Sequence, residues 1–216
     1  MKIFDFLQKQ RPKIGDTIPF GRYFFENEKD IQPIEWMVLD NQNDELLLLS
    51  NFCLDVIHYF DQTIPYDYTG TISWENSHLR DWLNDKFYNQ AFTKKEKKRI
   101  VETVIVTDES LDPALHRNKL FILSQSQIEE FLPDREKRCG LPTPYARKQG
   151  AGAGIDTQEK AVWWWTTPVT GCSLSGQLYP AIVSYDGQVL YHSRLIASPG
   201  SIHATVRPAI KIKRSF

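Results

Sequence analysis

The sequence predicts an α+β fold of antiparallel sheets with two to three short helices. Three observations carry this prediction. Segments near both ends alternate apolar and polar residues with a period of two, the middle of the chain holds apolar stripes with the helical period, and strands and helices do not alternate as β-α-β units.

The first strands lie at residues 14 to 25 (IGDTIPFGRYFF), 33 to 40 (PIEWMVLD) and 45 to 50 (ELLLLS). In the second, Ile34, Trp36 and Val38 form an apolar face and Glu35, Met37 and Leu39 a mixed one. The polar stretch Asn41 to Asp44 supplies the turn of a hairpin. A helix follows at 76 to 89, where Leu79, Trp82, Leu83 and Phe87 gather on one stripe and Arg80, Asp81, Asn84 and Asp85 turn outward. Thr93 and Glu96 have capping-box spacing and open a short basic helix through Arg99. Residues 101 to 107 (VETVIVT) are β-branched and alternating, hence a strand. After the apolar run from Leu120, the segment SQSQIEEFLP reads as a capped helix ended by Pro133. Residues 149 to 154 (QGAGAG) read as a hinge or mobile loop. Two further strands join through Asp186-Gly187, a dipeptide suited to a tight hairpin turn. Residues 205 to 213 (TVRPAIKIK) close the chain as a strand, with Pro208 at a strand edge or start.

With 216 residues, 41% hydrophobic and 12% aromatic, the chain is long enough to bury a real core, and residues 1 to 216 are read as a single domain. The 26 basic residues nearly cancel the 27 acidic ones, so no global field attracts nucleic acid or an anionic membrane; such binding needs a local patch. The run KKEKKR at 94 to 99 has no interleaved aromatic residue and reads as a solvated helix face. No apolar run approaches the roughly 20 residues of a membrane span, and the N-terminus lacks a secretory pattern, so a cytoplasmic location is expected. The odd set Cys53, Cys139 and Cys172 fits a reducing compartment and structural thiols.

Several segments together resemble the bacterial DUF6273 domain. They are IEWMVLD, LLLLS, the block from Ser73 to Ile100, LFILS, WWWTTP and VRPAI, in that order along nearly the whole chain. The block with Ser77, Leu79, Arg80, Trp82, Leu83, Asn84 and Phe87 is the most specific part. The resemblance implies an architecture and almost no chemistry. The ending, a tryptophan-rich strand, a hairpin and a strand carrying Arg-Pro-Ala, is similar to C-type lectin-like and formylglycine-generating-enzyme-like folds. Where the family usually reads Trp-Leu-Arg-Ser-Pro-Gly, this chain has Trp164 to Val169, with Thr166 at the position of the basic residue.

The candidate ligand surface is Trp163, Trp165, Tyr185, His192 and Arg207. On a strand Trp163 and Trp165 share one face and Trp164 the other, so the three indoles either fill two packing layers or leave one face for a sugar, base or peptide. A buried Arg207 needs a partner: a carboxylate such as Asp186 or Asp81 in a structural role, or a ligand. The five histidines have no metal-ligand spacing, and no nucleophile elbow, phosphate loop or calcium loop is present; no cofactor or metal is expected. A non-enzymatic binding module is the leading expectation, its partner a small molecule, glycan or protein, with neither nucleic acid nor membrane. The alternatives are a hydrolase or cysteine-dependent oxidase, resting on Cys139 and Cys172 around the Gly-Ala loop, and a structural subunit of a larger assembly.

Overall fold

The computed structural model describes residues 11–59, 74–75, 77–105, 116–152, 161–167, 181–190 and 204–214. The first three strands, β1 (Thr17–Phe24), β2 (Ile31–Gln42) and β3 (Glu45–Ser50), form an antiparallel meander. Asn43 and Asp44 make the second turn with φ of 50° and 59°, which short polar side chains tolerate in a tight hairpin. Ile34, Trp36 and Val38 are buried while Glu35 is exposed, as the alternation predicts. Leu39 is buried as well, because a register shift between Val38 and Asp40 breaks the alternation there.

A second register shift, between Pro19 and Arg22 on β1, is fixed from both sides. The Trp36 indole donates to the Phe20 carbonyl at 2.6 Å, and the Gly21 amide donates to Glu96 Oε1 at 3.1 Å. Gly21 has a φ of +69°, and a Cβ there would come within 2.5 Å of the Phe92 ring. Only glycine fits.

Short strands β4 (Phe52–Cys53) and β5 (Asp55–Val56) follow. The predicted first helix begins at Ser77, whose side chain accepts from the Arg80 amide. It runs as α1 (His78–Trp82), a π turn (Leu83–Phe87) and α2 (Tyr88–Ala91), ending two residues beyond the expected limit. Leu79, Trp82, Leu83 and Phe87 are all buried. Asn84, expected to face outward, docks the helix: its amide donates to the carbonyls of Arg80 and Leu120, and its oxygen accepts from the amides of Lys119 and Leu120. The Thr93–Glu96 capping box opens α3 (Lys94–Lys97).

The predicted strand at 101 to 107 appears as β6 (Thr103–Ile105), paired with β7 (His116–Asn118); residues 106 and 107 lie outside the described residues. After β8 (Leu120–Phe121), Ser124 and Gln127 form a capping box for α4 (Gln125–Phe131). The sequence reading missed α5 (Arg135–Arg138), β9 (Leu141–Pro142) and α6 (Pro144–Lys148), the last opened by Thr143 as N-cap and proline in the first turn. Gln149 to Gly152 close α6, with the Ala151 amide bonded to the Ala146 carbonyl and Ala151 buried. Residues 153 and 154 of that predicted loop lie outside the described residues.

The last strands are β10 (Trp164–Thr166), β11 (Ala181–Val183), β12 (Val189–Leu190), β13 (Thr205–Val206) and β14 (Ala209–Lys213). They complete two five-stranded sheets, ordered β1-β2-β3-β14-β8 and β12-β11-β10-β13-β5. The architecture is α+β. Most pairings are antiparallel, but β10 with β13 and β4 with β9 are parallel. As the Asp186-Gly187 dipeptide predicts, β11 and β12 form a hairpin, and Gly187 has a φ of +78°.

One pair of chain segments belongs to both sheets. Residues 45–56 and 205–213 run antiparallel from the β3–β14 ladder into the β5–β13 ladder. Between the ladders Ser50 N–H donates to Pro208 C=O at 3.0 Å and Leu54 N–H to Val206 C=O at 2.9 Å. Pro208, with no N–H to donate, sits at that corner and not within a ladder.

Candidate functional site

Arg207 occupies the corner. It is 2% exposed, and its guanidinium donates from Nε to the Ser50 carbonyl at 2.9 Å and from one terminal nitrogen to the carbonyls of Lys137 and Arg138, each at 3.3 Å. Those two carbonyls close α5, where a cation is favoured. Among the described residues Arg207 makes no ion pair, neither with Asp186 nor with Asp81, the carboxylates expected from sequence, and Asp81 pairs with Arg80 at 3.6 Å. Backbone carbonyls at a sheet corner do the carboxylate's work. Burial lowers the Arg207 pKa, against the opposing pull of Cys53 and Cys139.

Trp164 and Trp165, adjacent on β10, face opposite ways as the strand period requires. Trp164 packs on Arg207, with the guanidinium carbon 5.3 Å from the ring centre, and donates its indole N–H to the Arg138 carbonyl at 2.8 Å. Trp165 faces the other way, edge-on to Tyr59 at 5.5 Å, and donates to the Ile57 carbonyl at 2.8 Å. Both are buried, so Trp165 and Arg207, expected at a ligand surface, present no open face. Trp163 is half-buried, and its indole nitrogen, shielded from solvent, has no hydrogen-bond partner among the described residues. Tyr185 is half-buried beside the Asp186-Gly187 turn; His192 lies outside the described residues.

Of the expected Cys139 and Cys172 pair, only Cys139 falls within the described residues. Cys172 lies outside the described residues, and Cys53 and Cys139 both act on Arg207. Cys53 is fully buried against Gly140, where a Cβ would stand 2.6 Å from its sulfur. Burial pushes the Cys53 thiol up to about 11, although Arg207, Thr205 and Arg147 pull it down. Such a thiol is a poor nucleophile at neutral pH.

A cleft of ≈ 430 Å³ opens on the side of the β1–β2 ladder. Tyr23, Phe24, Phe25 and Phe52 supply aromatic wall, Pro19 and Pro33 add apolar surface, and Thr17, Gln32 and Glu35 bring polar groups. Phe24, Phe25 and Phe52 are half-buried, leaving ring surface free, and Glu35 and Thr17 are exposed. The β1 register shift places Pro19 opposite Glu35 and Arg22 opposite Pro33. The rings brace one another: Phe25 and Phe52 meet edge-on at 5.9 Å, and Phe24 lies 4.9 Å from Tyr145. Tyr145 is anchored where its amide donates to the Phe25 carbonyl at 2.7 Å. Asn51 ties the rim, with its amide bonded to the Glu35 carbonyl and its side chain to Thr17 Oγ1.

Behind this wall lies a buried acid. Tyr23 donates its hydroxyl to Asp55 Oδ2 at 2.7 Å, and the Val56 amide donates to Oδ1 at 2.8 Å. Burial raises the Asp55 pKa, while the bonds from Tyr23 and Val56 and the charge of Lys86 oppose the rise. Tyr23 is pushed upward by burial and Asp55, and Tyr145 is raised to about 12 by burial, Asp55 and Glu28. Among the described residues Glu35 is the one carboxylate lining the cleft. Among the described residues no cluster of three or more histidine, cysteine or acidic side chains is placed to hold a metal, and no helix is long and apolar enough to cross a membrane.

Sequence reasoning passed over the cleft residues. The signal was Tyr23-Phe24-Phe25, three adjacent aromatic residues at a strand end, the same kind of feature as the tryptophan run.

No curated protein and no solved structure matches the chain. One family model does, that of the Domain of unknown function (DUF6273), over residues 43–214. That span begins at the β2–β3 turn and includes the docked helix, the Trp164–Arg207 corner and both strands that join the sheets. The chain belongs to the DUF6273 family.

Proposed function

We propose that the chain is a non-enzymatic binding module whose aromatic cleft takes a neutral sugar chain. The observation that carries this reading is the pairing of half-buried rings at Phe24, Phe25 and Phe52 with exposed hydrogen-bonding groups at Thr17 and Glu35 in one cleft. Sugars present apolar faces that stack on aromatic rings and hydroxyls that need directed polar partners. The cleft volume falls within the roughly 300–1,000 Å³ usual for small-molecule sites. Among the described residues no lysine or arginine lines it, and an anionic ligand would face Glu35.

The thiols of Cys53 and Cys139 fit a cytoplasmic setting in bacteria. The raised Cys53 thiol and, among the described residues, a single cleft carboxylate favour binding over catalysis.

Isothermal titration against a panel of neutral oligosaccharides tests the reading. At least one should bind the wild type. Phe52→Ala should weaken that binding about tenfold or more, as loss of an aromatic stacking surface requires, and Glu35→Gln should weaken it less. A panel that binds nothing, while a proline-rich peptide does bind, would replace the sugar by a peptide.

A further inference from the structure

The basic run at 94 to 99 is not a uniform solvated face. Its last member, Arg99, is 4% exposed and donates to the carbonyls of Lys213 and Arg214. Glu96 is occupied by the capping box and by the Gly21 amide. That leaves Lys94, Lys95 and Lys98 exposed, and it leaves Lys97, which reaches back onto Tyr88 and donates to Asn89 Oδ1 at 2.8 Å. The Lys97 ammonium lies 4.5 Å from the Tyr88 ring centre and the Lys119 ammonium 4.4 Å from the same centre. Two like charges are thus held at no more than about twice that separation. Among the described residues no carboxylate ion-pairs with Lys94, Lys97, Lys98 or Lys119. Two acids of this region are engaged: Asp85 accepts from Asn89, and Glu102 acts on Tyr88.

We infer that Tyr88, Lys97 and Lys119, extended by Lys94 and Lys98, form a binding site for single-stranded nucleic acid. The sequence run lacks an aromatic residue, and folding supplies one by setting half-exposed Tyr88 against two lysines. Sequence-tolerant nucleic-acid sites combine an aromatic ring for base stacking with cations for phosphates. Cation–π contacts at exposed positions are weaker than base stacking on an aromatic ring, so a base displaces one ammonium from Tyr88 and frees it for a phosphate. The net charge of −1 supplies no wider attraction, so binding is local and steeply salt-dependent.

The test is fluorescence anisotropy of labelled oligo(dT) at about 50 mM salt, where phosphate contacts are strong. Wild type should bind. Lys97→Glu with Lys119→Glu should weaken binding tenfold or more, and Tyr88→Leu about tenfold, both with circular dichroism spectra and melting temperatures near wild type. If Tyr88→Leu fails to fold, the lysine pair alone decides. Absence of binding at low salt overturns the inference, as does a charge-reversed pair that binds like wild type. A third contrary outcome is a sulfated polysaccharide that competes as well as unlabelled oligo(dT) while Tyr88→Leu binds normally. That result would make the patch a general polyanion surface.

Discussion

Arg207 and Trp164 donate to one oxygen. The Arg138 carbonyl accepts the Trp164 indole N–H at 2.8 Å and an Arg207 N–H at 3.3 Å, while the guanidinium lies against the same indole ring. Through Ser50 the arginine also reaches the strand that runs beside its own. A charge that sequence reading assigned to a ligand or an ion pair thereby holds two sheets and the end of a helix.

Removing Arg207 leaves the carbonyls of Ser50, Lys137 and Arg138 without this donor in a buried corner. Arg207→Ala should cost about 3 kcal/mol or more in urea denaturation. Arg207→Lys should recover only part, since an ammonium cannot reproduce the planar fork. A loss below about 1 kcal/mol would show that the corner does not depend on the guanidinium.

Gly187 sets the hairpin against α5. A Cβ there would lie 2.2 Å from the Arg135 carbonyl oxygen, and the φ of +78° is itself unfavourable for other residues. Gly187→Ala should destabilise by more than the roughly 1 kcal/mol of the backbone strain alone, because backbone and not a flexible side chain must move. Thermal unfolding checks this, and an unchanged melting temperature would mean that the hairpin is not docked there.

Asp55 has a folded pKa above its unfolded value of 3.8, chiefly through burial. The folded state therefore holds more protons, so the stability from this group is fully present below pH 3.8 and is lost as pH rises through the raised folded value. Asp55→Asn keeps an acceptor for Tyr23 and removes the penalised charge. The variant should be at least as stable as wild type at neutral pH, with a flatter pH profile of urea midpoints above 3.8. A variant that loses stability at pH 7 while keeping the wild-type slope would contradict this sign.

Thiol labelling should separate the two described cysteines. With a pKa of about 11, Cys53 holds a thiolate fraction on the order of 10⁻⁴ at pH 7, and it is fully buried. Half-buried Cys139 should label first, and Cys53 only as the protein unfolds. Rapid labelling of native Cys53 would revive a cysteine-dependent enzyme.

The parts of the fold legible in sequence are those fixed by local period and capping. The four leucines of β3, the stripe Leu79-Trp82-Leu83-Phe87 and the boxes at Thr93 and Ser124 needed only neighbours within a turn or a strand. The π turn was hidden because an added residue in the hydrogen-bond pattern leaves the apolar stripe intact. Arg207 was misread because its partners are main-chain oxygens contributed by distant segments, which carry no side-chain signal. The cleft was legible only as the aromatic run Tyr23-Phe24-Phe25. Its rings come from β1 and β4, and the register shift at Phe20 and Gly21 decides which side of the ladder they border.

The most direct test of the cleft as the ligand site is amide and indole chemical-shift mapping during titration with the tightest-binding neutral oligosaccharide. Shifts should concentrate at Thr17, Tyr23, Phe25, Gln32 and Phe52, with the Trp164 and Trp165 indole signals unmoved in their hydrogen bonds. Shifts centred on the Trp163 indole and Tyr185, with the cleft silent, would contradict the assignment and move the ligand to the tryptophan strand.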